Sequence, residues 1–259
     1  TPEAELVAQH YNTEHYNIRL DVPAFDELDR ILDFWDQPNA DYSCLPTYLV
    51  SAFAKKRVKV VLTGDGGDEV FAGYPTHLMP RLLPWYQRLP QALRKSLLEP
   101  LAKKLPTSFD RISLDYKIKA FIKGADAGLQ RGHLLWKILF TDAEQGQLLQ
   151  PDMLAAMAGP APSTAFDTYF ASVAHADPVN QLLYVDSKTF LLDDNLHKVD
   201  RMTMAASLEA RVPFLDHELV EFVSKIPVEY KIRGLTTKWL LRRLMNGRLP
   251  TAVLKMAKK

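Results

Sequence analysis

The chain has 259 residues, 47% of them hydrophobic, which is enough for one large or two small domains with a buried core. Its 32 basic and 31 acidic residues nearly cancel, so we expect no nucleic-acid partner and no membrane partner. The single cysteine, Cys44, excludes an internal disulfide, and neither a signal peptide nor an apolar run of transmembrane length occurs. These features predict a cytoplasmic protein in which Cys44 is a packed residue and not a nucleophile.

The first 57 residues show helical patterns and one strand pattern. Residues 1–3 (Thr-Pro-Glu) are typical of a helix start, and because the first residue is not Met we expect a fragment of a longer protein. Apolar and polar residues alternate over 16–22, which predicts a strand that ends at Pro23. Apolar residues then recur at helical spacing over 24–35 and again after Pro46, which predicts two amphipathic helices.

A short apolar run and a glycine-rich turn follow. Residues 58–62 (Val-Lys-Val-Val-Leu) break strict alternation, which predicts a strand buried inside a parallel sheet and not at its edge. Three glycines and three carboxylates then lie within residues 64–69. Open parallel sheets bind ligands at the carboxyl ends of their strands, and a glycine turn there can approach phosphates closely. The carboxylates of Asp65, Asp68 and Glu69 could hold a hard cation such as Mg²⁺.

Other interpretations of this turn stay open. Asp-Gly is also common in hairpin turns and in solvated surface loops. No Gly-Lys-Ser/Thr follows, which excludes a Walker A phosphate loop, and the ligand spacing of an EF-hand calcium site is missing. For Glu69 we favour a helix-start residue stabilised by the helix dipole. The seven histidines show no metal-ligand spacing.

The middle of the chain is rich in proline. Six prolines between 75 and 106 predict short helices broken at each proline, with their basic residues on a solvated surface. Residues 146–163 have the composition of a linker or loop.

Helical patterns resume at Asp177, an N-cap followed by proline, and the predicted helix is broken at 193–195 (Asp-Asp-Asn). Asp216 is predicted to cap a further helix, and Thr236 the last clear helix, over 238–245.

Three motifs occur in the order and spacing of one known family. They are residues 62–74 (Leu-Thr-Gly-Asp-Gly-Gly-Asp-Glu-Val-Phe-Ala-Gly-Tyr), residues 200–216, which begin Asp-Arg-Met-Thr-Met-Ala and end Arg-Val-Pro-Phe-Leu-Asp, and residues 237–242 (Thr-Lys-Trp-Leu-Leu-Arg). The chain thereby resembles, over essentially its whole length, the C-terminal synthetase domain of glutamine-dependent asparagine synthetases.

The resemblance implies a fold and a domain organisation. We expect an incomplete α/β fold with the parallel sheet of the adenine-nucleotide α-hydrolases (ATP pyrophosphatases) and a predominantly helical C-terminal part. The expected divisions are 1–75, a partial nucleotide-binding core; 76–165, a proline-interrupted helical segment; and 166–259, a helical part that completes the site. The family's nucleotide loop, Ser-Gly-Gly-x-Asp-Ser, does not occur here, so we expect that loop to lie upstream of Thr1, outside this chain.

The resemblance also assigns site residues. The metal ligands are Asp68 and a second carboxylate, Asp194, with Asp193 as the alternative register. The nucleotide or substrate is contacted by Thr63, Gly64, Gly66 and Asp68, and the catalytic residues are Asp65 and Lys258. The sequence departs from the family where Thr63 and Asp65 replace Ser and Glu, and where Met256 replaces Arg. We expect Lys198, Asp200, Arg201, Glu209 and Arg211 to form buried pairs that order helices around the site.

The implied reaction is ATP- and Mg²⁺-dependent conversion of aspartate to asparagine through aspartyl-AMP, with ammonia from glutamine. The implied partners are a missing N-terminal glutaminase domain and a second copy of the chain, with which it would form a homodimer. We expect little or no activity from this chain alone. The alternatives are a related amide ligase, similar to a β-lactam synthetase or to an amidotransferase of a biosynthetic cluster, and a non-catalytic helical binding domain.

Overall fold

The computed structural model describes residues 2–19, 27–35, 39, 41–106, 114–138, 140–157 and 163–255. These ranges are mostly helical and contain a small parallel sheet of two strands. The α/β class predicted from the sequence is confirmed at this level, with helix in large excess over strand. None of the helices in these ranges has both the length and the apolar character needed to cross a membrane.

The elements follow one another closely along the chain. The first half contains α1 (Pro2–His10), α2 (Leu28–Leu32), α3 (Cys44–Lys55), β1 (Val60–Leu62), α4 (Gly67–Phe71), a 3-10 turn (Pro75–Leu78), α5 (Met79–Gln87), α6 (Gln91–Leu93), a π-helix (Arg94–Leu98), α7 (Glu99–Lys103) and α8 (Leu114–Ala125). The second half contains α9 (Gly128–Lys137), α10 (Asp142–Leu148), α11 (Pro151–Ala156), α12 (Ser163–Ser172), α13 (Pro178–Lys188), a π-helix (Phe190–Leu196), α14 (His197–Ala205), β2 (Glu209–Arg211), a 3-10 turn (Pro213–Leu215), α15 (His217–Ser224), α16 (Val228–Lys231), α17 (Trp239–Leu244) and α18 (Thr251–Leu254).

The chain divides into two compact units. The first unit consists of Thr1–Gly73 and Asp186–Met256, and the second of Tyr74–Val185 and Ala257–Lys259. The first unit therefore draws on both ends of the chain and contains both strands. The functional division into 1–75, 76–165 and 166–259 stays a prediction.

The sheet of the first unit differs from the one predicted. β1 runs parallel to β2, with Val60 opposite Glu209 and Leu62 opposite Arg211. In the described part of the chain β2 is its single neighbour. Val60 is 38% and Leu62 72% exposed. Within the described residues β1 is therefore not buried inside a sheet as predicted, because an apolar run indicates that a strand suits burial but does not supply the layers that would cover it.

The described core of the first unit includes two clusters on different helices. In one cluster α2, α3 and α14 pack together through Ile31, Cys44, Tyr48, Met202 and Ala205. In the other, Val70 and Phe71 of α4 pack against Val223 of α15. The partly buried residues around them come from the 3-10 turn at 213–215, from α15 and the residues after it, and from α17, namely Phe214, Leu215, Leu219, Val220, Ile226 and Leu241. The second cluster fixes α4 immediately after the glycine turn.

Cys44 is the packed residue that the sequence predicts. It is 8% exposed within the first cluster. Burial, together with the nearby negative charge of Asp41, raises the pKa of the Cys44 thiol to about 11. The thiol is therefore protonated at neutral pH and is a poor nucleophile.

The described residues of the second unit form helices joined by turns. Leu83, Tyr86 and Ala125 form one cluster with partly buried residues of α5, α8 and α9, and Phe170, Leu182 and Val185 form another. α8 and α9 approach each other closely at two glycines, where a Cβ atom on Gly132 would lie 2.6 Å from the carbonyl oxygen of Gly124. This contact leaves no room for a side chain.

Several local predictions are wrong. Residues 16–19 form no strand, because Tyr16 and Ile18 are exposed and have no strand to pair with in the described chain; residues 20–26 lie outside the described ranges. Pro84 lies inside α5 without ending it. The segment predicted as a linker contains the end of α10 and all of α11.

The predicted caps have mixed outcomes. Asp177 Oδ1 accepts a hydrogen bond from the Val179 amide at 2.8 Å, and Asp216 Oδ1 accepts one from the Glu218 amide at 3.0 Å, so both caps are confirmed. Thr236 does not cap α17, whose N-cap position is Lys238. The break predicted at 193–195 is a π-helix that continues directly into α14.

Candidate functional site

The glycine turn joins the end of β1 to the start of α4. The Thr63 amide donates to the Arg211 carbonyl at 2.9 Å and so extends the pairing of β1 with β2 by one residue. Gly66 then has a φ of 81°, in the left-handed region that favours glycine. A Cβ atom there would also overlap the side chain of Leu215. Backbone conformation and packing therefore both require glycine at position 66.

The start of the turn is more open. Gly64 is exposed, and a Cβ atom on it would meet nothing within 4 Å. The hydroxyl oxygen of Thr63 is buried and hydrogen-bonds to none of the described groups, while Asp65 is half-buried. The turn therefore presents accessible backbone next to a buried hydroxyl.

Asp68, in the first turn of α4, forms an ion pair. Its Oδ1 lies 2.7 Å from Nζ of Lys238, and the two side chains are 22% and 28% exposed. Lys238 has a φ of 52°, a left-handed conformation that costs a residue with a side chain of the order of 1–3 kcal/mol. Such strain persists only where the surrounding structure fixes it. Sequence reasoning placed Lys238 in a family motif but gave it no role.

Gly73 makes this ion pair sterically possible. A Cβ atom at Gly73 would overlap the Asp68 carboxylate and the Lys238 side chain. The Gly73 amide donates to the Asp68 carbonyl at 2.7 Å, and the preceding residue, Ala72, is left-handed with a φ of 58°. The chain therefore folds back over α4 so that glycine lies against the pair.

A second polar group lies beside α4. Glu69 is 2% exposed, and its Oε1 accepts a hydrogen bond at 3.4 Å from Nδ2 of Asn195. Nζ of Lys198 lies 3.5 Å from Oδ1 of Asn195 and 2.7 Å from Oδ2 of Asp41. The favoured view of Glu69 as a helix-start residue is incomplete: it occupies the first turn of α4, but its buried carboxylate belongs to a partly buried network.

The network sets the charge state of Asp41. Burial acts to raise the pKa of Asp41, but hydrogen bonds from Lys198 and Ser43 and the positive charge of Lys198 outweigh it, so the pKa lies below its usual value. Lys198 forms a partly buried ion pair, with side chains 12% and 17% exposed, but its partner is Asp41 and not one of the residues predicted to pair. For Glu209 and Arg211 the expected buried pairing is wrong, because their ion pair is 55% and 65% exposed on strand β2.

The two predicted metal carboxylates lie on neighbouring segments. Asp194 is half-buried in the π-helix, whereas Asp193 is exposed. The contact between Asn195 and Glu69 joins the π-helix to α4, and these residues directly follow Asp194 and Asp68 in the sequence. Among the described residues no three or more His, Cys, Asp or Glu side chains cluster as a metal site. The predicted catalytic Lys258 lies outside the described residues.

The relation to known proteins is visible over the whole chain. A family model described as asparagine synthase matches residues 1–259. The chain belongs to the asparagine synthase family. The membership predicted from the three motifs is thereby confirmed.

Individual relatives in the asparagine synthase family agree. The chain is 35% identical over 236 residues to "Asparagine synthetase [glutamine-hydrolyzing] 1" of Bacillus subtilis, covering 90% of this chain and 35% of the relative. It is 34% identical over 230 residues to a "Putative asparagine synthetase [glutamine-hydrolyzing]" of Mycobacterium bovis, covering 88% and 33%. It is 26% identical over 234 residues to "Amidase chyE" of Penicillium rubens, covering 82% and 33%. The chain thus spans about a third of the length of these curated relatives.

Proposed function

We propose that this chain supplies part of the synthetase site of an asparagine synthetase, which converts aspartate to asparagine with ATP through aspartyl-AMP and takes its ammonia from glutamine. Membership of the asparagine synthase family and the names of the relatives from Bacillus and Mycobacterium support this proposal. The missing glutaminase domain, the homodimer, the cytoplasmic location and the adenine-nucleotide α-hydrolase fold are parts of the same proposal.

One observation carries the chemical part of the proposal. The carboxylate of Asp68 and the ammonium of Lys238 lie 2.7 Å apart beside a glycine turn at the carboxyl end of a parallel strand. A polyphosphate at such a strand end needs accessible backbone amides and positive charge. The exposed Gly64 supplies backbone that a ligand can approach, and Lys238 supplies the charge.

Each predicted site residue has a role in this scheme. The aspartate carboxylate attacks the α-phosphorus of ATP, pyrophosphate leaves, and ammonia then displaces AMP from the acyl-adenylate. Thr63, Gly64 and Gly66 orient the nucleotide, and Asp65 accepts a proton from the incoming ammonia. Lys258, and in our proposal Lys238, oppose the negative charge that develops on the phosphates.

The residues present fit Mg²⁺ in the form in which it accompanies phosphates. This ion is commonly held by one or two carboxylates together with substrate oxygens, so a cluster of three protein carboxylates is not needed. Asp68 and Asp194 would hold it, and Asp68 could exchange the ammonium of Lys238 for the ion. When bound, Mg²⁺ would neutralise charge on the leaving pyrophosphate.

A second candidate is amide chemistry on a different carboxylic acid. The similarity to the Penicillium protein named as an amidase supports it, because that match also covers most of the chain. The two candidates differ in the acid that is activated and agree on the ATP-dependent step.

The test uses a chimaera. We would replace the matching region of the Bacillus relative with this chain and measure AMP and asparagine formed from ATP, aspartate and ammonia. We expect equal amounts of both products, with rates at least about 100-fold lower for Asp68→Asn and Lys238→Met. Lys225→Met, a change at an exposed lysine that ends α15, is the matched control and should keep the full rate.

The outcomes separate the candidates. A folded chimaera that forms AMP only with another carboxylic acid would support the second candidate. A folded chimaera that forms no AMP with any acid would refute both and favour a non-catalytic domain. The isolated chain should form no AMP, and AMP formation by it would refute the expectation that it is inactive alone.

A further inference from the structure

Asn195 links two side chains of opposite charge to which the proposed reaction gives no role. Its Nδ2 donates a hydrogen bond to Oε1 of Glu69 at 3.4 Å, and its Oδ1 accepts one from Nζ of Lys198 at 3.5 Å. An amide can do both at once, because it carries donors and an acceptor on one planar group. Glu69 is 2% exposed, so its carboxylate needs hydrogen-bond donors from the protein.

This link joins two segments that carry predicted site residues. Glu69 directly follows Asp68 in the first turn of α4, and Asn195 directly follows Asp194 in the π-helix. Neighbouring residues of one helical turn move together, so the contact between Asn195 and Glu69 also limits how far Asp194 can move relative to Asp68. Short π-helical turns between α-helices are frequent at functional sites.

The other end of the link is anchored in the same unit. Nζ of Lys198 lies 2.7 Å from Oδ2 of Asp41, and the two side chains are 12% and 17% exposed. Burial raises the pKa of the Cys44 thiol most, the charges of Asp41 and Asp194 raise it further, and the charge of Lys198 lowers it. The thiol therefore lies near all three charges, which places Asp194 close to the anchored end of the network.

The charges on both sides restrict which residue suits position 195. An aspartate there would place a second carboxylate against the buried carboxylate of Glu69. An apolar residue would remove one hydrogen-bond partner from Glu69 and one from Lys198. Asparagine is neutral and serves both, so the residue type matches a bridge between a carboxylate and an ammonium.

We propose that Asn195 is a positioning residue of the synthetase site, which holds the π-helix in a fixed register against α4 by bridging Glu69 and Lys198. This register sets where the carboxylates of Asp68 and Asp194 lie. Asn195 acts through these carboxylates and not on the reactants. The inference rests on the proposed function, because their placement affects a reaction only if this site carries one out.

The first test is a double-mutant cycle, read by thermal melting of the 259-residue chain. Asn195→Asp sets two carboxylates against each other, so we expect Tm to fall by about 5–10 °C. In the Glu69→Gln background the same change should lower Tm by less than about 3 °C. The double variant has the net charge of the wild type, and its new carboxylate can accept hydrogen bonds from both neighbours.

The second test measures kcat and KM for ATP in the chimaera with the Bacillus relative. Asn195→Ala should lower kcat by about 10–100-fold, because misplaced groups stabilise the transition state less well, and should change KM for ATP by less than about threefold. Ile31→Val is the matched control, since it also shortens a buried side chain of the first unit. It should keep kcat within about twofold of the unmutated chimaera, because it acts on stability alone.

Two results would overturn the positioning role by itself. One is an equal decrease in Tm for Asn195→Asp in both backgrounds, which would show that Asn195 and Glu69 do not interact. The other is an active chimaera in which Asn195→Ala keeps its kcat, or loses no more of it than Ile31→Val does.

Folding failures and an inactive chimaera are also decisive. If Asn195→Asp does not fold, a folded Glu69→Gln/Asn195→Asp would support the coupling, and failure of both would overturn it. A folded, unmutated chimaera that forms no AMP with any acid would instead refute the proposed function, and this role with it.

Discussion

Gly73→Ala should destabilise the first unit by obstructing the ion pair between Asp68 and Lys238. The new methyl group would overlap both the carboxylate and the lysine side chain. Overpacking of this kind costs ~1–3 kcal/mol. Loss of a partly exposed ion pair adds about 0–1 kcal/mol. A total of about 2–3 kcal/mol corresponds to a decrease in Tm of ~5–10 °C for a chain of this size.

The assay is urea unfolding followed by circular dichroism, with thermal melting beside it. Gly64→Ala is the matched control in the same turn, because a Cβ atom there meets nothing within 4 Å and should change stability by less than ~0.5 kcal/mol. In the background Asp68→Ala/Lys238→Ala both obstructing groups are gone. The cost of Gly73→Ala should there fall below ~1 kcal/mol, a coupling typical of residues in contact.

Two results would refute this reasoning. Gly73→Ala could melt within ~1 °C of the wild type, which would mean that the turn accommodates a methyl group without cost. Alternatively, the loss could be the same in both backgrounds, which would place the obstruction away from the ion pair.

Three further predictions concern other parts of the chain. Because the pKa of Asp41 is lowered in the folded protein, its pairing with Lys198 stabilises the fold above the unfolded pKa of about 3.9, and this stabilisation is lost as the pH falls through the folded pKa. The free energy of unfolding of Asp41→Asn in urea should therefore differ from that of the wild type at pH 7 and converge with it at acidic pH. A difference that stays constant with pH would contradict the pairing. Gly132→Ala should destabilise the fold by ~1–3 kcal/mol, because the new methyl group would contact the Gly124 carbonyl oxygen. Gly146→Ala, inside α10 with nothing near its Cβ, should instead stabilise the fold by ~0.5–1 kcal/mol. Equal free energies of unfolding for the two variants would be incompatible with this geometry. Cys44 should react with a thiol reagent at pH 8 only after unfolding in urea, since burial raises its pKa to about 11, and rapid labelling of the native chain would show that the thiol is accessible.

Local features of the chain were the most predictable from sequence. The caps at Asp177 and Asp216 depend on hydrogen bonds to amides two residues ahead, so the residues that decide them are adjacent in the sequence. The glycine turn after β1 was predictable for the same reason. The three motifs identified the family because they fix residue types at many positions together, whatever structure surrounds them.

Features that depend on distant contacts were not predictable. The exposure of β1 depends on which strands lie beside it, and nothing within residues 58–62 specifies them. Glu69 is buried because Asn195, far along the chain, reaches it. The π-helix at 190–196 carries an Asp-Asp-Asn sequence that usually breaks helices, yet the segment stays helical, and Asn195 reaches Glu69 of α4. For Lys238 the signal was available in the third motif, but its partner Asp68 could not be inferred.

The discontinuous first unit has a consequence for how the protein forms during synthesis. β1 pairs with a strand that the ribosome makes about 150 residues later, and Lys238 follows later still. At 5–20 residues per second this leaves β1 without a partner for roughly 10–30 s. The second unit is nearly continuous in sequence, and its long segment, residues 74–185, is made before β2. We therefore expect the second unit to fold first. During that time the exposed apolar strand β1 is unpaired and is a site at which nascent chains can associate.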